Sequence, residues 1–99
     1  MPAYAALSDL LERFEQRELV QITDDAGTGA VDQVRIDRAL TAATATIDGY
    51  LAAKYQLPLA RVPDNIIDLC CDIARFKLWR QTPPENVEKA HSTALKMLE

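Results

Sequence analysis

The residues best spaced for chemistry lie in Asp24-Asp25-Ala26-Gly27-Thr28-Gly29-Ala30-Val31-Asp32, which has the outline of a calcium loop. Counted from Asp24 as position one, Thr28 falls at five, Gly29 at six and Asp32 at nine, as an EF-hand requires, but Ala26 stands at three and Arg35 at twelve. Position twelve of such a loop is a bidentate glutamate, so an arginine there works against tight cation binding. The competing reading is a solvated turn in which Asp32 caps the helix that follows. Cys70 and Cys71 are adjacent, whereas metal motifs space their cysteines by two or more residues, and the sole histidine is His91. No metal site and no cofactor are expected. Successive helical residues point about 100° apart, so the two thiols read as small, reduced core side chains. Asp64, Asp68 and Asp72 share a helix face, the pattern of a solvated stripe. The sequence has no nucleophile elbow, no phosphate-binding glycine loop and no His/Asp/Glu cluster, and the protein is therefore expected not to be an enzyme.

The elements that position these residues read as helices. Ser8 can cap a short first helix carrying Leu7, Leu10, Leu11 and Phe14, and Glu15 to Thr23 continues with one or two further turns. After the glycine-rich loop comes the longest helical signal, Asp32 to Tyr55, with Ile36, Leu40, Ala43, Ile47, Tyr50 and Leu51 on one face. Gln56 to Pro63 reads as an ordered connection that sends Leu57, Leu59 and Val62 toward the core. Asp64 caps a third helix running to about Gln81, with Ile66, Leu69, Cys70, Ile73 and Phe76 on one side and Ile67, Cys71, Ala74 and Leu78 on another. Its remaining strip, Asp64, Asp68, Asp72, Arg75 and Trp79, is left for solvent or a partner. Thr82-Pro83-Pro84-Glu85 has a capping-box pattern opening a last helix with Val87, Ala90, Ala94, Leu95 and Leu98. The expected class is all-α, a small bundle of about four helices in a single domain, 1–99.

Ninety-nine residues, 48% hydrophobic and 26% charged, suit one globular domain whose thin core favours association with other subunits. The formal charge of -4 disfavours nucleic acid. Residues 1–50 hold four basic and nine acidic side chains, so one face is expected to be acidic. No basic leader and no membrane-length apolar run opens the chain, which predicts a soluble protein made in a cytoplasm and no membrane partner. Ala42, Ala45, Gly49 and Ala52 form a small-residue strip behind the apolar face of the longest helix, and Gly49 costs roughly 1 kcal/mol in a helix interior unless close packing needs it. These four residues, with Arg75 and Trp79, are the candidate interface residues.

Phe14, Glu18-Leu19-Val20-Gln21-Ile22-Thr23-Asp24, the glycine-rich loop ending in Asp32, Ile47-Asp48-Gly49-Tyr50-Leu51, Tyr55-x-Leu57-Pro58-Leu59 with Val62-Pro63, and Cys71-Asp72-Ile73-Ala74-Arg75 together resemble a known family over about residues 4 to 80. It is the Mu-like phage and prophage structural protein family related to head-tail connector, or head-completion, proteins. The resemblance implies a non-enzymatic helical subunit, made in the host bacterial cytoplasm and built into the virion neck. There it would form a ring with copies of itself, between portal and tail-side phage proteins. An acidic surface around Asp24, Asp25 and Asp32 would then suit a channel along which DNA slides. The alternative function is a small cation-binding regulatory module using the Asp24 to Asp32 loop.

Overall fold

The computed structural model describes residues 3–57, 61–80 and 82–99. Its elements are α1 (Leu7–Arg13), α2 (Gln16–Thr23), α3 (Gln33–Leu51), α4 (Asp64–Leu78) and α5 (Glu85–Leu98), with no strand among the described residues. The all-α expectation holds, but among the described residues the helices number five where about four were expected. The extra boundary falls at Phe14 and Glu15, whose ψ angles of 152° and 137° are extended. No glycine or proline marks this break. It lets Phe14 and Glu18 both turn onto α4, a tertiary demand that local propensity does not encode.

Helix ends also depart from expectation. Ala6 rather than Ser8 stands at the start of α1, its N–H donating to Asp9 Oδ2 at 2.8 Å. Pro63 precedes α4, which makes Asp64 its first residue and not its cap. Pro84 rather than Thr82 precedes α5, because a residue followed by proline is pushed to extended backbone and Pro83 is followed by Pro84. α3 stops at Leu51, where the N–H groups of Lys54 and Tyr55 converge on the Leu51 carbonyl. α4 ends at Leu78 with Trp79 extended at ψ 119°; Gln81, the expected end, lies outside the described residues, as do Pro58 and Leu59 of the connection. Leu57 and Val62 pack against the core as expected.

The core is the seam between α3 and α4. From α3 it takes Ile36, Leu40, Ala43, Ile47 and Leu51, and from α4 Ile66, Leu69, Cys70, Cys71, Ile73, Ala74 and Leu78. Both cysteines are free and buried, and burial pushes the Cys71 thiol up to about 12. α5 closes the other side of α4 through Val87, Ala94 and Leu98, helped by Phe76 stacking on His91 with ring centroids 3.8 Å apart. The lead-in before α1 is tied down through Tyr4. Tyr4 donates its N–H to the buried Thr44 hydroxyl at 3.0 Å and its phenol O–H to Asp48.

Two mutations separate the faces of α3. Ile47→Ala removes a fully buried side chain from the seam and is expected to cost about 2–5 kcal/mol in chemical denaturation. Gly49→Ala is expected to gain up to about 1 kcal/mol, because a Cβ at this helical position meets nothing within 4 Å. His91 supplies a pH test. Burial, then Lys77, lowers its pKa below the ordinary 6.5, so the fold favours neutral imidazole. That stability is present above about pH 6.5 and is lost as pH falls through the lowered value. His91→Phe should flatten the dependence of the melting temperature between pH 7 and 5.

Candidate interaction surface

Sequence reasoning left one strip of α4 for solvent or a partner; the chain itself covers most of it. Glu18 of α2 accepts from Arg75 in bidentate fashion, with Nε to Oε2 at 2.6 Å, and the Arg75 guanidinium lies 4.3 Å above the Phe14 ring. Arg75 is consequently only 13% exposed and is committed inside the subunit, not offered to a neighbour. Two turns earlier on α4, Asp68 accepts from Arg13 Nε at 2.6 Å. Asp72, between these pairs, is half-buried, and its carboxyl is pulled above the usual carboxylate range, chiefly by burial against the opposing pull of Arg75.

The loop between α2 and α3 is closed by its own backbone. Asp24 accepts from the N–H of Thr28 at 2.9 Å and of Gly29 at 2.7 Å, and from the Thr28 hydroxyl. These donors, Thr28 first, hold the Asp24 carboxyl below the ordinary range. Gly27 and Gly29 take φ of 72° and 81°, the left-handed region open to glycine. Asp32 caps α3 by accepting from Val34 and Arg35 N–H. Asp24, Thr28 and Asp32 thus serve two separate turns instead of converging on one centre, and no cluster of three or more ligating acidic, His or Cys side chains occurs among the described residues.

Arg35, which stood at the place of the calcium-binding glutamate, is a clamp. It donates to the carbonyls of Ile22 at 2.8 Å and Leu78 at 3.1 Å, so one cation satisfies the C-terminal ends of α2 and α4 together. It also approaches Asp25, which Arg80 contacts at 2.9 Å, so the loop is less acidic than its composition suggests.

On the outer side of α3, Ala42, Ala45, Gly49 and Ala52 are all exposed, with Val34 58% exposed at the same helix's start. The close packing expected at Gly49 does not occur within the subunit. Trp79 is half-buried against the core, beside Gln21 and Ile22 of α2.

The family model described as "Bacteriophage Mu, Gp36" matches residues 4–99. The chain belongs to this family. It is 35% identical over 97 residues to "Gene product J" of Escherichia phage Mu, covering 97% of this chain and 69% of that protein. It is 31% identical over 99 residues to "Mu-like prophage FluMu protein gp36" of Haemophilus influenzae, covering all of this chain and 70% of that protein. The match runs through α5, beyond the residues that carried the resemblance in the sequence.

In this Mu-family protein the interactions that sequence reasoning missed are mainly the arginine contacts of Arg13, Arg35 and Arg75 and the Tyr4 anchor. The partners named above lie 10 to 61 positions away in the chain, and only Arg35, an unwelcome cation in the first turn of a helix, carried a local signal. No helix among the described residues is long and apolar enough to cross a membrane.

Asp72 provides the test of the covered strip. Its raised pKa means that the fold holds a proton there more readily than the unfolded chain, so this stabilisation is present below the ordinary value of 3.8 and is lost as pH rises through the raised value. Asp72→Asn should therefore melt above wild type at pH 7, with the gap closing as pH falls below about 4.

Proposed function

We propose that this protein is a non-enzymatic virion assembly subunit, a head-tail connector or head-completion protein of a Mu-like phage or prophage. It acts through protein contacts alone, forming a ring with copies of itself in the virion neck between portal and tail-side proteins. What supports the reading is family membership joined to one structural observation, the outer face of α3. There Ala42, Ala45, Gly49 and Ala52 keep side-chain bulk low along an exposed helix, so a neighbouring backbone can approach without displacing anything in the subunit. Glycine in an exposed helix interior lowers the stability of the isolated chain, a cost that close subunit packing would offset. The loop carboxylates, already engaged by backbone N–H groups and arginines, give no specific support to a cation-binding regulator.

Light scattering on the purified protein, alone and mixed with a portal ring, tests the reading. A ring or a stable portal complex is expected, and Gly49→Leu should weaken that assembly while leaving helicity and melting temperature at or above wild type. A protein that stays monomeric and ignores the portal ring at high concentration would exclude the connector role.

A further inference from the structure

Four large apolar side chains stand exposed among the described residues: Leu11, Val34, Tyr55 and Met97. Tyr55 and Met97 do so together, on the rim of a hollow of about 380 Å³ at the corner where α3 ends, α4 begins and α5 ends. Its floor is apolar, formed by Ile66, Leu69 and Leu98. Single exposed apolar side chains are ordinary on a protein surface, whereas two on one apolar hollow mark a place for a partner. The charged part of the rim is basic, since Lys54 and Arg61 line the hollow and no carboxylate does. Lys54 Nζ donates to the main-chain oxygen of Glu99 at 2.6 Å, and an ammonium keeps further donors beyond that one. Arg61 is exposed and forms no ion pair among the described residues, although Asp64 lines the adjoining hollow with it. Leu11 presents the converse pattern. It is followed by Glu12, whose side chain is 74% exposed and has only Arg13 at 3.8 Å, and by the exposed Glu15. The subunit does not fill the hollow with its own α1, because Leu10 is buried and Arg13 is held by Asp68, which lies on a different flank of α4 from Ile66 and Leu69.

We propose that Leu11 of one copy seats in this hollow on the next copy, against Tyr55 and Met97, with Glu12 and Glu15 facing Lys54 and Arg61. The inference rests on the self-assembly reading above and names the contact through which copies join. Apolar surface meets apolar surface and carboxylates meet cations, so one placement satisfies both kinds of complementarity. Val34, the remaining exposed apolar side chain, has Arg38 as well as Asp37 beside it and would bring a cation to a basic rim. Tyrosine, methionine and arginine, the types gathered at this corner, are also enriched at interface cores. The two surfaces differ, so the contact is heterologous: every copy keeps one α1 and one hollow to offer, copies add head to tail, and a ring results where the rotation closes. A hollow of this size takes only a few side chains, so a single junction is weak, and closure, in which each copy makes the contact twice, supplies the stability. The contact is separate from the outer face of α3, and different variants test the two.

The full chain is tested by light scattering, alone and with a portal ring, as Glu12→Lys, as Arg61→Glu and as an equimolar mixture of the two. Each reversal sets like charges across the contact, so each variant by itself should associate about tenfold or more weakly than wild type. The mixture should recover, because every junction again pairs an anion with a cation, in the native sense or in the reversed one. Met97→Ser should weaken association without any change of charge. All three residues are exposed, so circular dichroism should show melting close to wild type; should a reversal unfold, Met97→Ser carries the test. A wild type that assembles while the variants assemble equally well would overturn this contact and leave the assembly role standing. Reversals that weaken assembly but fail to rescue each other would overturn the pairing of α1 with the hollow. A wild type that stays monomeric with and without the portal ring would overturn both the contact and the reading on which it rests.

Discussion

Helix α4 carries Ile66, Leu69, Cys70, Cys71, Ile73, Ala74 and Leu78, all buried, over an arc of about 200° at 100° per residue. No single neighbouring helix can cover so wide a surface, so the chain has to wrap it. α3 takes the largest share, α5 closes a second side, and α1 reaches across from a third. The short chain thus solves by enclosure what its small core cannot achieve by bulk.

The remaining strip of α4 is polar, and its coverage has a different physics. Apolar residues cannot cap Asp68, Asp72 and Arg75 without stranding charge, so α1 and α2 bring charges of their own. Arg13 meets Asp68, Glu18 meets Arg75, and Phe14 supplies an aromatic face under the same guanidinium. Arg35 then joins the ends of α2 and α4 through their carbonyls. Asp72 is left as the least comfortable member, its proton affinity raised by burial. α2 is fastened largely by such directed bonds together with the buried Leu19 and Ile22, and a cleft lined in part by Trp79 opens along its edge.

Covering α4 from within changes where association has to be sought. An incomplete bundle finished by neighbouring subunits is the natural expectation for a helix apolar on two sides, but its fully buried residues are already enclosed by one chain. What stays open is the back of α3, small and exposed, and the cleft at the α2 and α4 ends. On the first, no side chain stands in the way of a Cβ at Gly49.

The sequence by itself determined the helical class, the seam-facing sides of α3 and α4, the role of Asp32 as a cap and the burial of Cys70 and Cys71. Each is a local or periodic property, carried by residues one to four positions apart and enforced by helical geometry and the removal of apolar surface from water. The family was legible for a related reason, since its segments are contiguous. Only the tertiary structure decided that Arg75 is spent on Glu18 and Phe14, that Arg35 clamps two helix ends, that Tyr4 is anchored on α3, and that α1 and α2 are separate. It also left the Trp79 indole N–H buried without a partner among the described residues. These depend on charges and donors meeting partners tens of residues away, and a hydrogen bond of that kind leaves no period in the sequence because its strength lies in distance and direction, which exist once the chain has folded.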